Sequence, residues 1–230
     1  MRQIIAMGHG GFSMEESLLD RYILDQTGKE SPRVCFLAQA GGESPDYIIK
    51  FYGAFAQLGA RPTHLSLFRP PTADLASFLL EQDVIYVSGG NTRSMLALWR
   101  EWDLDTLLRQ AWEAGIVLAG LSAGAICWFE EAVTDSVPGE LGPLECLGYL
   151  AGSCCPHYDG EPERRPAFHR LIGQGTLLPG YGLDDGAALH VIDDQVEKVV
   201  SALPGATAYY VAKSGGEVQE HALPATYLGA

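Results

Sequence analysis

The first two-thirds of this chain alternates short β-branched runs with amphipathic stretches, and a parallel sheet wound with right-handed crossovers is the architecture that takes this rhythm. Arg2–Met7 reads as a strand ending in Gly8-His9-Gly10-Gly11, and Met14–Gln26 as a helix with Leu18, Leu19, Tyr22 and Ile23 on one face. Arg33–Ala38 is a second strand. Pro45–Leu58 is a helix opened by Ser44-Pro45 and closed by Gly59. His64–Phe68 follows as a strand and Thr72–Glu81 as a helix with Thr72 as N-cap. Asp83–Ser88 and Ile116–Leu121 are continuous apolar runs suited to strands covered on both faces. Ser94–Trp99 and Asp105–Ala114 are the helical stretches between them, the second ended by Gly115. After about residue 145, glycine and proline become frequent. Ala187–Ile192, Gln195–Val200, Ala208–Ala212 and Glu217–Ala222 are closely spaced and read as hairpins at a sheet edge. The expected fold class is therefore α/β: a mostly parallel sheet flanked by helices, with antiparallel hairpins toward the C-terminus. No internal repeat, low-complexity tract or linker interrupts residues 1–230, so one domain is expected.

Composition removes several classes of function. At 230 residues, 47% apolar and 19% charged, the chain can bury a core and is not a disordered segment. Its net charge of −14 would repel a polyanion, so neither a nucleic acid nor an anionic membrane is an expected partner. No run approaches the roughly 20 apolar residues of a bilayer span. MRQIIAMGHGG is too short in its apolar part for a signal peptide, and the expected location is cytoplasmic. Cys35, Cys127, Cys146, Cys154 and Cys155 are odd in number and contain no C-x-x-C pair, which fits reduced thiols. Cys154 and Cys155 are expected on opposite faces of one strand.

The strongest chemical signal is Gly120-Leu121-Ser122-Ala123-Gly124, directly after an apolar strand and directly before the helix-compatible AGAICWF. A nucleophile elbow requires this setting. The flanking glycines permit a cramped turn, the serine projects above the sheet edge, and the Ala123 N–H points at a developing oxyanion with help from the helix dipole. A serine that merely caps a helix is the plainer reading of the same letters; the strand–turn–helix context favours the nucleophile. The second signal, Ser88-Gly89-Gly90-Asn91-Thr92, also ends a buried strand. Its adjacent glycines leave backbone amides uncovered for a second oxyanion donor, and loops at the carboxyl ends of parallel strands are where ligands bind. Alone, this loop would be a glycine turn with Asn91 or Thr92 capping a helix.

A serine nucleophile needs a base. His64 and His190 fall inside predicted strands and read as structural, His221 is near the C-terminus, His169 is expected to face solvent, and His9 in the first glycine turn is a weak candidate. His157, in Cys155-Pro156-His157-Tyr158-Asp159-Gly160, stands at the end of a strand and the start of a loop, where a scaffold can hold a base. The third member should be a carboxylate. Asp185 and Asp184 in Gly182-Leu183-Asp184-Asp185-Gly186, and Asp135, remain open. The run His157, Asp159, Glu161, Glu163 and His169 matches neither a helical H-x-x-x-H pair nor a calcium loop. Arg164, Arg165 and Arg170 could clamp a substrate carboxylate, although at least two of them are expected on a solvated helix face.

GLSAGAICWF, VSGGNT and PHYDGE, in this order and spacing, resemble the peptidase E family of serine peptidases (peptidase family S51) across essentially the whole chain. The resemblance implies a class I glutamine-amidotransferase-like α/β fold, with cyanophycinase as a relative. It implies Ser122 as nucleophile, His157 as base and Asp185 as the acid, with the loop Gly89-Gly90-Asn91 and Ala123 around the substrate and the Gly90 and Ala123 amides as oxyanion donors. It further implies cleavage of dipeptides with an N-terminal aspartate, a small peptide as the partner, neither metal nor organic cofactor, and room for a homodimer. Ile126 stands where the aspartyl dipeptidases tend to carry asparagine after S-A-G-A, a departure that bears on the Asp-X preference. The order Ser122, His157, Asp185 differs from the Ser…Asp…His order of α/β-hydrolases.

Overall fold

The computed structural model describes residues 1–14 and 17–229. In chain order, β1 (Gln3–Met7) is followed by a 3-10 turn at Gly11–Met14, α1 (Leu18–Asp25), β2 (Arg33–Leu37), α2 (Pro45–Gln57), β3 (Arg61–Leu65), α3 (Leu75–Leu80), β4 (Val84–Val87), α4 (Thr92–Glu101), α5 (Leu104–Glu113) and β5 (Val117–Leu121). Then come α6 (Ala123–Ile126), β6 (Phe129–Thr134), β7 (Gly142–Glu145), β8 (Leu150–Cys155), α7 (Arg164–Gln174), β9 (Gly180–Leu183), β10 (Ala187–Ile192), β11 (Gln195–Ser201), β12 (Ala208–Ser214), β13 (Glu217–Ala222) and β14 (Ala225–Tyr227).

Among the described residues the strands form two sheets. The first has the order β14-β11-β10-β1-β5-β4-β2-β3, with β1, β5, β4, β2 and β3 mutually parallel and β10 antiparallel to β1. The second has the order β13-β12-β9-β8-β6-β7. Every residue of β1, β4 and β5 is buried, because helices cover one face of the first sheet and helices plus the second sheet cover the other. One face packs Ile5, Phe36, Val84 and Tyr86 with Phe51 and Phe55 of α2. The other packs Ile4, Leu37, Ile85 and Leu118 with Trp99, Leu108 and Trp112, and this core runs on into Ala132, Cys154 and Ala208 of the second sheet.

The α/β expectation holds, and four local expectations are corrected. The β10–β11 hairpin lies toward the edge of the first sheet as expected, whereas the β12–β13 hairpin belongs to a second sheet together with the strand before His157 (β8) and the unexpected strands β6, β7 and β9. The third strand is Arg61–Leu65 rather than His64–Phe68. Pro62 is tolerated because β3 is an edge strand, and Ser66 and Leu67 leave the ladder to bind the Glu43 carboxylate. The helix expected from Thr72 starts at Leu75, because the Asp74 side chain, not Thr72, accepts the Ser77 N–H. The first helix begins at Leu18 rather than Met14; Glu15 and Glu16 lie outside the described residues. Cys154 and Cys155 do face opposite sides of β8, one in the large core and one against Tyr158 and Phe168.

Candidate active site

Strands β1, β4 and β5 are neighbours, so their carboxyl ends bring three loops together: Gly8–Gly11, Ser88–Asn91 and the turn at Ser122. Ser122 takes φ 52° and ψ −112°, a conformation that L-residues rarely adopt. The turn is held rigidly. The Ser122 N–H donates to the Met7 carbonyl at 3.1 Å, and a Cβ on Gly120 would overlap the Gly124 carbonyl oxygen. A Cβ on Gly124 would in turn overlap the Val87 carbonyl oxygen, so the glycines are there to let three backbones meet. The helix that follows is a single turn, Ala123–Ile126, not the longer helix suggested by AGAICWF. Trp128 and Phe129 turn away to fill the core and begin β6. The Ala123 and Gly124 amides stand at a helix start, where no intrahelical acceptor exists.

The Ser122 hydroxyl lies 2.9 Å from His157 Nε2, and His157 Nδ1 lies 2.9 Å from Asp185 Oδ1. An ionised carboxylate can only accept, so Nδ1 carries the proton and Nε2 is left to accept from the serine. Side-chain exposures of 14% for His157 and 25% for Asp185 leave the site shielded but open to a substrate. His157 follows β8 with φ 53°, and its neighbour Tyr158 inserts a buried ring over Gly182. The Asp185 N–H donates to Asp159 Oδ1 at 2.8 Å, and the Gly186 N–H donates to the His9 carbonyl at 2.7 Å.

The structure separates the three candidate acids. Asp185 faces the imidazole. Asp184, one residue earlier, points inward, where its Oδ2 accepts the Thr207 N–H at 3.0 Å and burial pushes its carboxyl up to about 6. Asp135 is exposed and pairs with Arg164 at 3.3 Å.

Gly89 lies against the elbow: a Cβ there would stand 2.9 Å from Leu121 Cδ1 and 3.4 Å from Ser122 Cβ. Gly90, at φ 135°, is pressed onto the Ala40 carbonyl. Asn91 is fully engaged elsewhere. Its amide N–H donates to Ala40, its Oδ1 caps α4 by accepting from Ser94, and its Nδ2 donates to the Ser136 carbonyl. The side chain of Asn91 therefore shapes the loop, and the plainer reading of a helix cap holds for it.

The arginines do not wait for a substrate as a group. Arg164 is buried and bound to Glu161 and Asp135, and Arg165 is bound to Glu220. Arg170 lines a surface groove with Glu140, Leu141 and Glu163. His169, expected in solvent, has its Nε2 at 2.8 Å from Glu220 and 3.0 Å from the Tyr158 hydroxyl. His64 and His190 are structural, hydrogen-bonded to Tyr52 and to Tyr22 and Gln3 respectively. Among the described residues, no group of three or more His, Cys, Asp or Glu side chains is arranged to hold a metal ion. Two features of the site escaped the sequence: Asp159 as a brace for Asp185, and Glu220 as the acceptor that anchors Tyr158. The Asp159-Gly160 pair beside His157 was the available signal for the first; nothing local marks Glu220.

Comparison with known proteins agrees with this architecture. A family model described as peptidase family S51 matches residues 4–199. An uncharacterised peptidase, YgaJ of Bacillus subtilis (strain 168), is 59% identical over 231 aligned residues, covering 100% of both chains. A peptidase E of Citrobacter koseri is 28% identical over 75% of each chain. Among solved structures, a peptidase from an acI-B1 actinobacterium superposes with a TM-score of 0.64 at 19% identity, covering 96% of this chain and 94% of that one. A Listeria monocytogenes protein titled as a peptidase E gives 0.58 at 18% identity, over 97% and 100%. At these identities the two structures speak for the fold.

Proposed function

The chain belongs to peptidase family S51, and from that membership we propose that it is a serine-type peptidase acting on short peptides, dipeptides foremost, through Ser122, His157 and Asp185. The observation that carries the reading is the unbroken relay from Ser122 Oγ to His157 Nε2 and from His157 Nδ1 to Asp185, each link 2.9 Å long. Ser122 attacks the scissile carbonyl while His157 takes the hydroxyl proton. Asp185 holds the imidazole tautomer and offsets the positive charge that the ring then carries. The amides of Gly90 and Ala123 donate to the tetrahedral oxyanion. His157 next returns its proton to the leaving amine, and a water repeats the cycle on the acyl-enzyme. Neither a metal nor an organic cofactor takes part in this scheme.

A cytoplasmic setting belongs to the same proposal. All five cysteines are buried free thiols, and no helix among the described residues is long and apolar enough to cross a membrane.

The test has two parts. A serine-directed phosphonate should label the wild-type chain at Ser122 and leave Ser122→Ala unlabelled. A panel of α-aspartyl, β-aspartyl and neutral dipeptides should then show turnover, with the α-aspartyl members preferred. Selective turnover of the β-aspartyl members would assign a cyanophycinase-like activity instead. Neither labelling nor turnover would make the chain a non-catalytic small-molecule-binding relative.

A further inference from the structure

Two edges of the His157 ring are occupied, one by Ser122 and one by Asp185. A third neighbour is a second imidazole. The His9 ring lies 5.3 Å from the His157 ring between centroids, tilted by 47°. His9 reaches this place from the turn that follows β1, and its backbone leaves it little freedom. Gly8 donates to the Ala187 carbonyl at 3.1 Å, the His9 carbonyl accepts from Gly186 at 2.7 Å, and His9 bridges to Asp185 as a parallel strand pair. A Cβ on Gly8 would overlap the Asp184 carbonyl oxygen, so this turn is packed directly on the segment that carries the acid. The turn therefore ties His9 to Asp185 by main chain and to His157 by ring contact. The His9 Nδ1 is enclosed and makes no hydrogen bond.

We propose that His9 is a positioning residue for the reaction at Ser122: its ring, fixed by the main chain and packed against the base, holds the His157 imidazole between serine and aspartate. This rests on the proposed Ser122–His157–Asp185 relay. The physical reason is charge. The reaction creates a proton on His157, and Asp185 offsets one positive charge there. A second charge on His9, at this separation and partly shielded from water, would oppose the first. Four titratable groups face His9: His157 and Glu161 from the loop after β8, Asp185 from the loop after β9, and Lys50 from α2. Burial first, and then His157, hold the His9 imidazole below its usual range, with Lys50 acting in the same direction and the two carboxylates opposing. At this ring separation a positive charge on one imidazole opposes a positive charge on the other.

The test is an NMR titration of the histidine ring resonances in the full-length chain, joined to phosphonate labelling across pH. Coupling is reciprocal. In His157→Gln the midpoint of His9 should rise by about half a pH unit or more, and in His9→Lys the midpoint of His157 should fall by a similar amount. His9→Lys should also label at least about tenfold more slowly than His9→Gln at neutral pH, with its acid limb moved to lower pH. A His9 midpoint that does not respond to the loss of His157 would overturn the proposal, as would equal labelling of the Lys and Gln variants at every pH. Should His9→Lys fail to fold, the His157→Gln arm decides alone. It reads the coupling without any turnover, so it stands apart from the question of whether Ser122 is a nucleophile.

Discussion

Gly160 lies directly over the Asp185 carboxylate: a methyl group at residue 160 would overlap Asp185 Oδ2. The glycine three residues after His157 thus sets how far the Asp185 carboxylate can approach the ring. Gly160 is exposed, and what blocks a larger residue is the end of a side chain rather than backbone. Gly160→Ala should therefore displace Asp185 instead of unfolding the loop. We expect kcat/KM to fall on the order of 10²-fold, the usual consequence of an ångström-scale misplacement, with little change in Tm. Combined with Asp185→Asn, it should cost little beyond the single Asn variant, because both act on one contact. Full additivity in that double variant would refute the assignment.

Ser122 holds a left-handed φ that a glycine adopts without penalty. Ser122→Gly and Ser122→Ala should both lose on the order of 10⁶ in kcat. They should differ in stability: the glycine variant should be more stable than the alanine variant by about 1 kcal/mol. Equilibrium urea unfolding at one pH distinguishes them, and equal midpoints would mean that the turn carries no strain.

Asp184 is 3% exposed, and burial raises its carboxyl to about 6, well above the ordinary value of 3.8. The folded protein therefore holds a proton that the unfolded chain releases between about pH 4 and 6. Stability drains across that window as pH rises, and the penalty persists above it. Asp184→Asn should be more stable than the wild type at pH 8, by about 1–3 kcal/mol, and the two should converge below about pH 4. Thermal unfolding at both pH values checks the sign. A variant advantage that grows toward acid would contradict it.

Glu220 runs the other way. Burial opposes its charge, but donors from Tyr158, Arg165 and His169 hold its carboxyl below the usual value of 4.5. Its contribution is present above the unfolded-state pKa and is lost as pH falls through the lowered folded value. Glu220→Gln should cost about 2–3 kcal/mol at pH 7, and the gap should close in acid. Because Glu220 anchors the hydroxyl of Tyr158, the residue that follows His157 in the chain, kcat should fall as well while KM changes little. A stability loss with unchanged kcat would show that Tyr158 does not transmit to His157.

The elements and residues that were legible beforehand have a common property: their character is local. Val84–Val87 and Val117–Leu121 are continuous apolar runs, and a strand covered on both faces needs nothing else. Ser122 was legible because its turn demands small neighbours on both sides. The second sheet was not. Its strand β7 reads GPLE and β9 reads GYGL, segments with poor intrinsic strand preference that become strands because adjacent backbones supply the hydrogen bonds. At Asn91 the helix-cap role was one of two readings the letters allowed, because a glycine loop at a strand end looks the same whether its side chains meet a ligand or cap a helix.

The amino-acid sequence by itself determined the α/β rhythm, the sharp turn at Ser122 and the histidine placed at the end of a strand, since each depends on neighbours within a few residues. It could not choose between Asp184 and Asp185. Both sit in one turn with the same side chain and the same flanking glycines. That choice belongs to distant segments: the Thr207 amide draws Asp184 inward, and His157, Asp159 and His9 meet Asp185 on the outside. A carboxylate goes where donors await it, and in this chain the Thr207 amide and the His157 ring come from more than 20 positions away, one on either side, so only tertiary packing could bring them.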